Sequence, residues 1–64
     1  MPHKFILGQA VEYNPPSGRY APPGTYLVTA KLAERDGEFE YHITHIKELY
    51  ERIVRESQLH EARR

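Results

Sequence analysis

Through the middle of this chain apolar and polar positions alternate with a period of two. In residues 25–32, Tyr26, Val28, Ala30 and Leu32 fall on one face of an extended strand, and Thr25, Leu27, Thr29 and Lys31 on the other. Residues 38–44 repeat the pattern, with Phe39, Tyr41 and Ile43 against Glu38, Glu40, His42 and Thr44. Between them lies Glu34-Arg35-Asp36-Gly37. Asp-Gly is the strongest short hairpin signal, because a two-residue turn matching the strand twist needs positive φ at both central residues. Residues 25–44 are therefore predicted as a β-hairpin. Tyr26, Val28, Phe39, Tyr41 and Ile43 should point into the core.

A shorter strand is predicted over residues 9–13, after a bend at Gly8, where Val11 and Tyr13 alternate around Glu12. Residues 14–24 read Asn-Pro-Pro-Ser-Gly-Arg-Tyr-Ala-Pro-Pro-Gly. Four prolines there exclude a helix interior and a central strand. The segment is a stiff loop with polyproline-II character.

The last third supports two readings. Ile46, Leu49, Tyr50, Ile53 and Val54 have the spacing of an amphipathic helix over residues 45–60. The competing reading is a strand over residues 51–55 closed by a helical turn at residues 57–59. A lone hairpin is marginal in water and needs a further strand or a helix across it. The strand also reduces the unpaired edge, and is preferred. The alternative is a three-stranded antiparallel sheet packed against one C-terminal amphipathic helix.

Composition narrows the picture. Sixty-four residues make one small domain, with residues 61–64 expected to fray. A core this small supplies about 3–5 kcal/mol of net stability. Tyrosine provides five of the seven aromatic side chains and there is no Trp, which suits a domain whose rings must cover apolar surface while their hydroxyls reach polar partners. The absence of Cys removes disulfides, thiolate metal sites and cysteine nucleophiles. No apolar run approaches the roughly 20 residues of a membrane span. Phe5-Ile6-Leu7 is broken by Gly8 and Gln9, unlike a signal peptide. A soluble, cytoplasmic protein is expected.

The order Phe-x-x-Gly-x-x-Val, a Pro/Gly loop, Gly-Thr-Tyr-x-Val, an acidic Gly turn, Glu-Tyr-x-Ile and Glu-Arg-Ile-Val-Arg-Glu-Ser-Gln-Leu resembles a set of short uncharacterised bacterial proteins. It is also similar to the chain order of small SH3-like barrels of the Tudor and KOW sort. The matching positions are Gly8, Val11, Gly24, Tyr26, Val28, Tyr41, Ile43, Ile53, Val54, Glu56 and Leu59. The resemblance spans residues 5–59. It implies a mainly β fold, a small SH3-like barrel with a short C-terminal helical turn, and it carries no activity.

Candidate chemistry is sparse. The chain has no G-x-S-x-G, phosphate-binding loop or H-E-x-x-H motif, so catalysis and a cofactor are not expected. His42 and His45 are read as solvent-exposed, because a metal site needs three or four converging ligands. The loop repeats Tyr13-Asn-Pro-Pro as Tyr20-Ala-Pro-Pro, either to stiffen the chain or to present a surface. Tyr13, Arg19 and Tyr20 are the candidate partner-binding residues, since Tyr and Arg are enriched at interface hot spots.

Lys47, Arg52, Arg55, Arg63 and Arg64 are the alternative, as nucleic-acid contacts. Glu48, Glu51, Glu56 and Glu61 are interleaved with them, and the whole chain has formal net charge zero. That balance argues against a phosphate-binding surface. The expected function is a non-catalytic module that binds protein or peptide. The alternatives are a nucleic-acid-binding barrel and a structural homo-oligomer, weakly associated.

Overall fold

Asp36 and Gly37 take φ of 54° and 85°, the pair of positive values that a two-residue hairpin turn requires. They join β2 (Thr25–Arg35) to β3 (Glu38–His45) in a computed structural model that describes residues 3–15, 20–22 and 24–62. The other elements are β1 (Ala10–Tyr13), β4 (Glu51–Arg55), a 3₁₀ turn (Glu56–Gln58) and β5 (Leu59–Glu61). All pairings are antiparallel, and the five strands lie in the order β4-β3-β2-β1-β5, with β4 and β5 as edges. The domain is mainly β with almost no helix.

One inward-facing phase builds the core. Val11, Tyr26, Val28, Tyr41, Ile43, Val54 and Leu59 are buried together, with Phe5 added from outside the sheet. Tyr26 stands opposite Val11 on one side and His45 on the other, so β2 links the two halves of the sheet at this row. Register shifts between Val28 and Ala30 and between Leu32 and Glu34 interrupt the β2 alternation. Beyond the first shift, Ala30 and Leu32 are only half-buried. Phe39 is likewise partly buried, packed on the core edge with its ring stacked 3.9 Å from that of His3. Phe39 thus faces the core as expected but is only partly buried there.

The C-terminal helix is overturned. Of its proposed apolar stripe, Val54 is 2% exposed, whereas Ile46 is 92% and Ile53 64% exposed. β4 pairs with β3 from Glu51↔Thr44 to Arg55↔Glu40. The ladder satisfies backbone groups, and Val54 alone of the stripe enters the core. The 3₁₀ turn starts at Glu56, one residue earlier than expected, and β5 follows it as a fifth strand that the pattern did not reveal.

The N-terminal segment is held by hydrogen bonds. Phe5 N–H and Lys4 N–H donate to the Tyr41 hydroxyl at 3.2 and 3.0 Å. That hydroxyl donates to Glu56 Oε2 at 2.5 Å, and Lys4 N–H also reaches Glu56 Oε2 at 2.8 Å. Burial, followed by the Glu56 hydrogen bond, holds the Tyr41 pKa above its ordinary value, so the hydroxyl keeps its proton. His3 Nε2 lies 2.7 Å from the Leu32 carbonyl, continuing the clamp along β2.

Ile43→Ala should cost about 2–5 kcal/mol, as buried Ile truncations do, and unfold much of the domain. Ile53→Ala should change stability by no more than about 0.5 kcal/mol. Thermal or denaturant melting of the two variants checks this, and equal costs would contradict the inward phase described.

Candidate functional site

Two loops leave the sheet beside Tyr26: residues 14–24 between β1 and β2, and residues 46–50 between β3 and β4. The Tyr26 hydroxyl donates to the Pro22 carbonyl at 2.8 Å, fixing the end of the proline loop. The Tyr13 ring meets Tyr26 edge-on, with centroids 5.7 Å apart. His45 meets Tyr26 similarly at 5.0 Å.

The second loop is organised by His45 and Glu48. Glu48 N–H donates to the His45 carbonyl at 2.9 Å, and Lys47 N–H donates to His45 Nδ1 at 3.0 Å. In the neutral ring that acceptor role places the proton on Nε2. His45 is 4% exposed, which corrects the expectation of a solvent-exposed histidine. β3 runs one residue beyond Thr44, so the inward phase of Tyr41 and Ile43 reaches His45. His42, on the opposite phase, is half-buried with Nδ1 2.9 Å from Glu51 Oε1. Gly24 packs against this ring: it has φ of 115°, and a Cβ there would lie 3.3 Å from His45 Nε2.

Glu48 accepts a forked pair of bonds from Arg52, Nε to Oε1 at 3.1 Å and Nη2 to Oε2 at 2.6 Å. The Tyr50 hydroxyl donates to the same carboxylate at 3.0 Å, and the Arg52 guanidinium lies 5.5 Å from the Tyr50 ring centroid. The Arg52 hydrogen bonds hold the Glu48 carboxyl below its ordinary range and raise the guanidinium. Burial, then the Glu48 charge, raises the Tyr26 hydroxyl, with Arg52 opposing. Tyr13, Tyr26, Arg52, Glu48 and Tyr50 therefore form one connected cluster.

Several apolar side chains of the two loops are exposed. Tyr20 is 80% exposed, and Ile46, Leu49 and Tyr50 project from the second loop. Where β2 begins and β3 ends there is a groove of about 470 Å³, lined by Gly24, Thr25, Leu27, Thr44, His45, Ile46 and Lys47. His45 is the wall shared by groove and cluster. A second groove, about 410 Å³, lies between the N-terminal segment and β5 and is lined by Lys4, Phe5, Glu12, Leu59, His60, Glu61 and Ala62.

The structure brings Tyr13 to the cluster edge and leaves Tyr20 facing solvent. Arg19, Arg63 and Arg64 lie outside the described residues. The remaining basic candidates do not share a surface: Lys47 is on the second loop, Arg52 is turned inward onto Glu48, and Arg55 faces outward 3.6 Å from Glu38. Among the described residues no three His, Asp or Glu side chains gather into a metal-binding group, and no helix is long and apolar enough to cross a membrane. Sequence reasoning missed the Glu48–Arg52 fork. Its i,i+4 spacing was visible but is ordinarily a helix signal.

A depressed carboxyl pKa contributes stability above the unfolded-state value, and that contribution is lost as pH falls through the folded-state value. Glu48 and Glu38 are both lowered from 4.5, the first by Arg52 and the second by its bonds with Ser57. The melting temperature should therefore fall as pH drops below the usual carboxylate range. Glu48→Gln should lower melting at neutral pH and flatten this acid dependence, Glu38 supplying what remains. An unchanged acid profile in Glu48→Gln, read by melting across pH, would contradict the role given to the fork. The chain matches no protein-family model, no curated protein and no solved structure.

Proposed function

We propose that this chain is a small SH3-like, non-catalytic binding module that docks a protein or peptide across the two loops beside Tyr26. The observation that carries this is the apolar groove from Gly24 to Lys47, with exposed Ile46 in its lining and exposed Leu49 and Tyr50 on the same loop as Ile46. Solvated singly, such side chains are ordinary, but a rimmed apolar patch marks an interaction surface. Supporting the SH3-like reading, a four-strand meander is followed by an acidic 3₁₀ turn and then Leu59.

Docking here needs little reorganisation. Pro22 is tied to Tyr26, and Tyr50 is held by Glu48 and Arg52. A surface ordered before contact loses little entropy on binding. Formal charge balance, with Arg52 already engaged by Glu48, favours protein over nucleic acid as the partner. A cytoplasmic location accords with this reading.

Selection of a displayed random-peptide library on the immobilised chain tests the proposal. Enriched peptides should bind the wild type and lose about 30-fold in affinity with Tyr20→Ala or Tyr50→Ala, the scale of a 2 kcal/mol hot spot. Melting of Tyr20→Ala should match wild type. Peptides that bind the variants equally well would refute the site. A micromolar complex with mixed-sequence RNA, weakening steeply with salt, would replace it with the nucleic-acid reading.

A further inference from the structure

β4 is an open edge. It pairs with β3 along its whole length and, among the described residues, has no strand on its other side. Such an edge exposes a row of backbone donors and acceptors and is a template for another chain. Gln58 Oε1 accepts the Arg55 N–H at 2.9 Å, capping the C-terminal end of this edge. Along β4, Glu51, Ile53 and Arg55 face outward, while Arg52 is half-buried and Val54 buried.

We propose that a second copy of this chain pairs antiparallel along β4 about a two-fold axis at Ile53. In this register Ile53 meets the partner's Ile53, and Glu51 meets the partner's Arg55 twice over. Neighbouring registers fail on charge: a two-fold at Glu51 opposes two carboxylates, and one at Arg55 opposes two guanidiniums. In-register parallel pairing also sets like charges against each other. Directly opposed like charges destabilise a sheet, and opposite charges stabilise it.

The groups already facing these side chains extend the match. Glu51 Oε1 lies 2.9 Å from His42 Nδ1, and Arg55 Nη1 lies 3.6 Å from Glu38 Oε2. Pairing joins them into an alternating ladder of His42, Glu51, the partner's Arg55 and the partner's Glu38. It also covers Ile53, which is 64% exposed. A five-residue edge buries less than the roughly 1,200–2,000 Å² of a stable complex, so the dimer forms only at high protein concentration. It is independent of the peptide-docking reading, since the pairing runs along β4 rather than across the groove.

Sedimentation equilibrium of the full chain, up to millimolar concentration, tests the pairing. The wild type should rise towards dimer mass. Glu51→Arg and Arg55→Glu should each lose at least about tenfold in self-association, with circular dichroism and melting confirming that both fold. An equimolar mixture should regain the dimer, because Arg at 51 then meets Glu at 55 and the unchanged Arg55 meets the partner's Glu51. Isotope-filtered NOE spectra of the wild type need no variant and should place intermolecular contacts at the Ile53 methyls. A monomeric wild type, single variants that dimerise as it does, a mixture that stays monomeric, or intermolecular contacts confined to another face overturns the proposal.

Discussion

The Tyr41 hydroxyl holds together parts of this domain that the β-ladder cannot. The ring is fully buried on β3, yet its oxygen reaches the N-terminal segment and the 3₁₀ turn at once. Phe5 lies outside every strand and still belongs to the core. Its position depends on amides that find their acceptors on Tyr41 and Glu56. Glu38 adds a brace from the same strand by accepting Ser57 N–H at 3.0 Å. In so small a core, a buried polar group left unpaired costs about 1–3 kcal/mol, comparable to the net stability expected of such a domain.

Tyr26 has the corresponding place on β2 with a different outcome. Its hydroxyl goes to Pro22, and Arg52 neighbours it while engaging Glu48. Where Tyr41 seals the N-terminal segment onto the core, Tyr26 holds Pro22 while Tyr20, Ile46, Leu49 and Tyr50 stay exposed. Rigidity and exposure thus coincide beside Tyr26. That combination underlies the proposed docking surface. The backbone edge of β4 is a separate resource, read through its charge order rather than its shape.

The hairpin was legible because Tyr26, Val28, Tyr41 and Ile43 keep one phase and Asp36-Gly37 supplies the only local geometry that joins them. β4 was ambiguous because Ile53 and Val54 are adjacent and both apolar, so neither period is distinctive. Only pairing with β3, a contact distant in sequence, decides which of them is buried. β5 has three residues and one inward side chain, Leu59, too little for any pattern. His45 is polar at an inward position and reads locally as surface; its burial follows from Tyr26 and Gly24 closing over it. Tyr20 was legible as a residue outside the alternating pattern. The fork from Glu48 to Arg52 was not, because helical spacing here spans a loop and a strand.

The most direct test of this account is native-state amide hydrogen exchange in Tyr41→Phe. The substitution keeps the ring in the core and removes only the oxygen. The Phe5 amide should lose its protection and the amides of Ser57 and Leu59 should exchange faster, while protection in the β2–β3 ladder falls only with global stability. Protection at Phe5, Ser57 and Leu59 indistinguishable from the wild type would contradict the central place given to the Tyr41 hydroxyl.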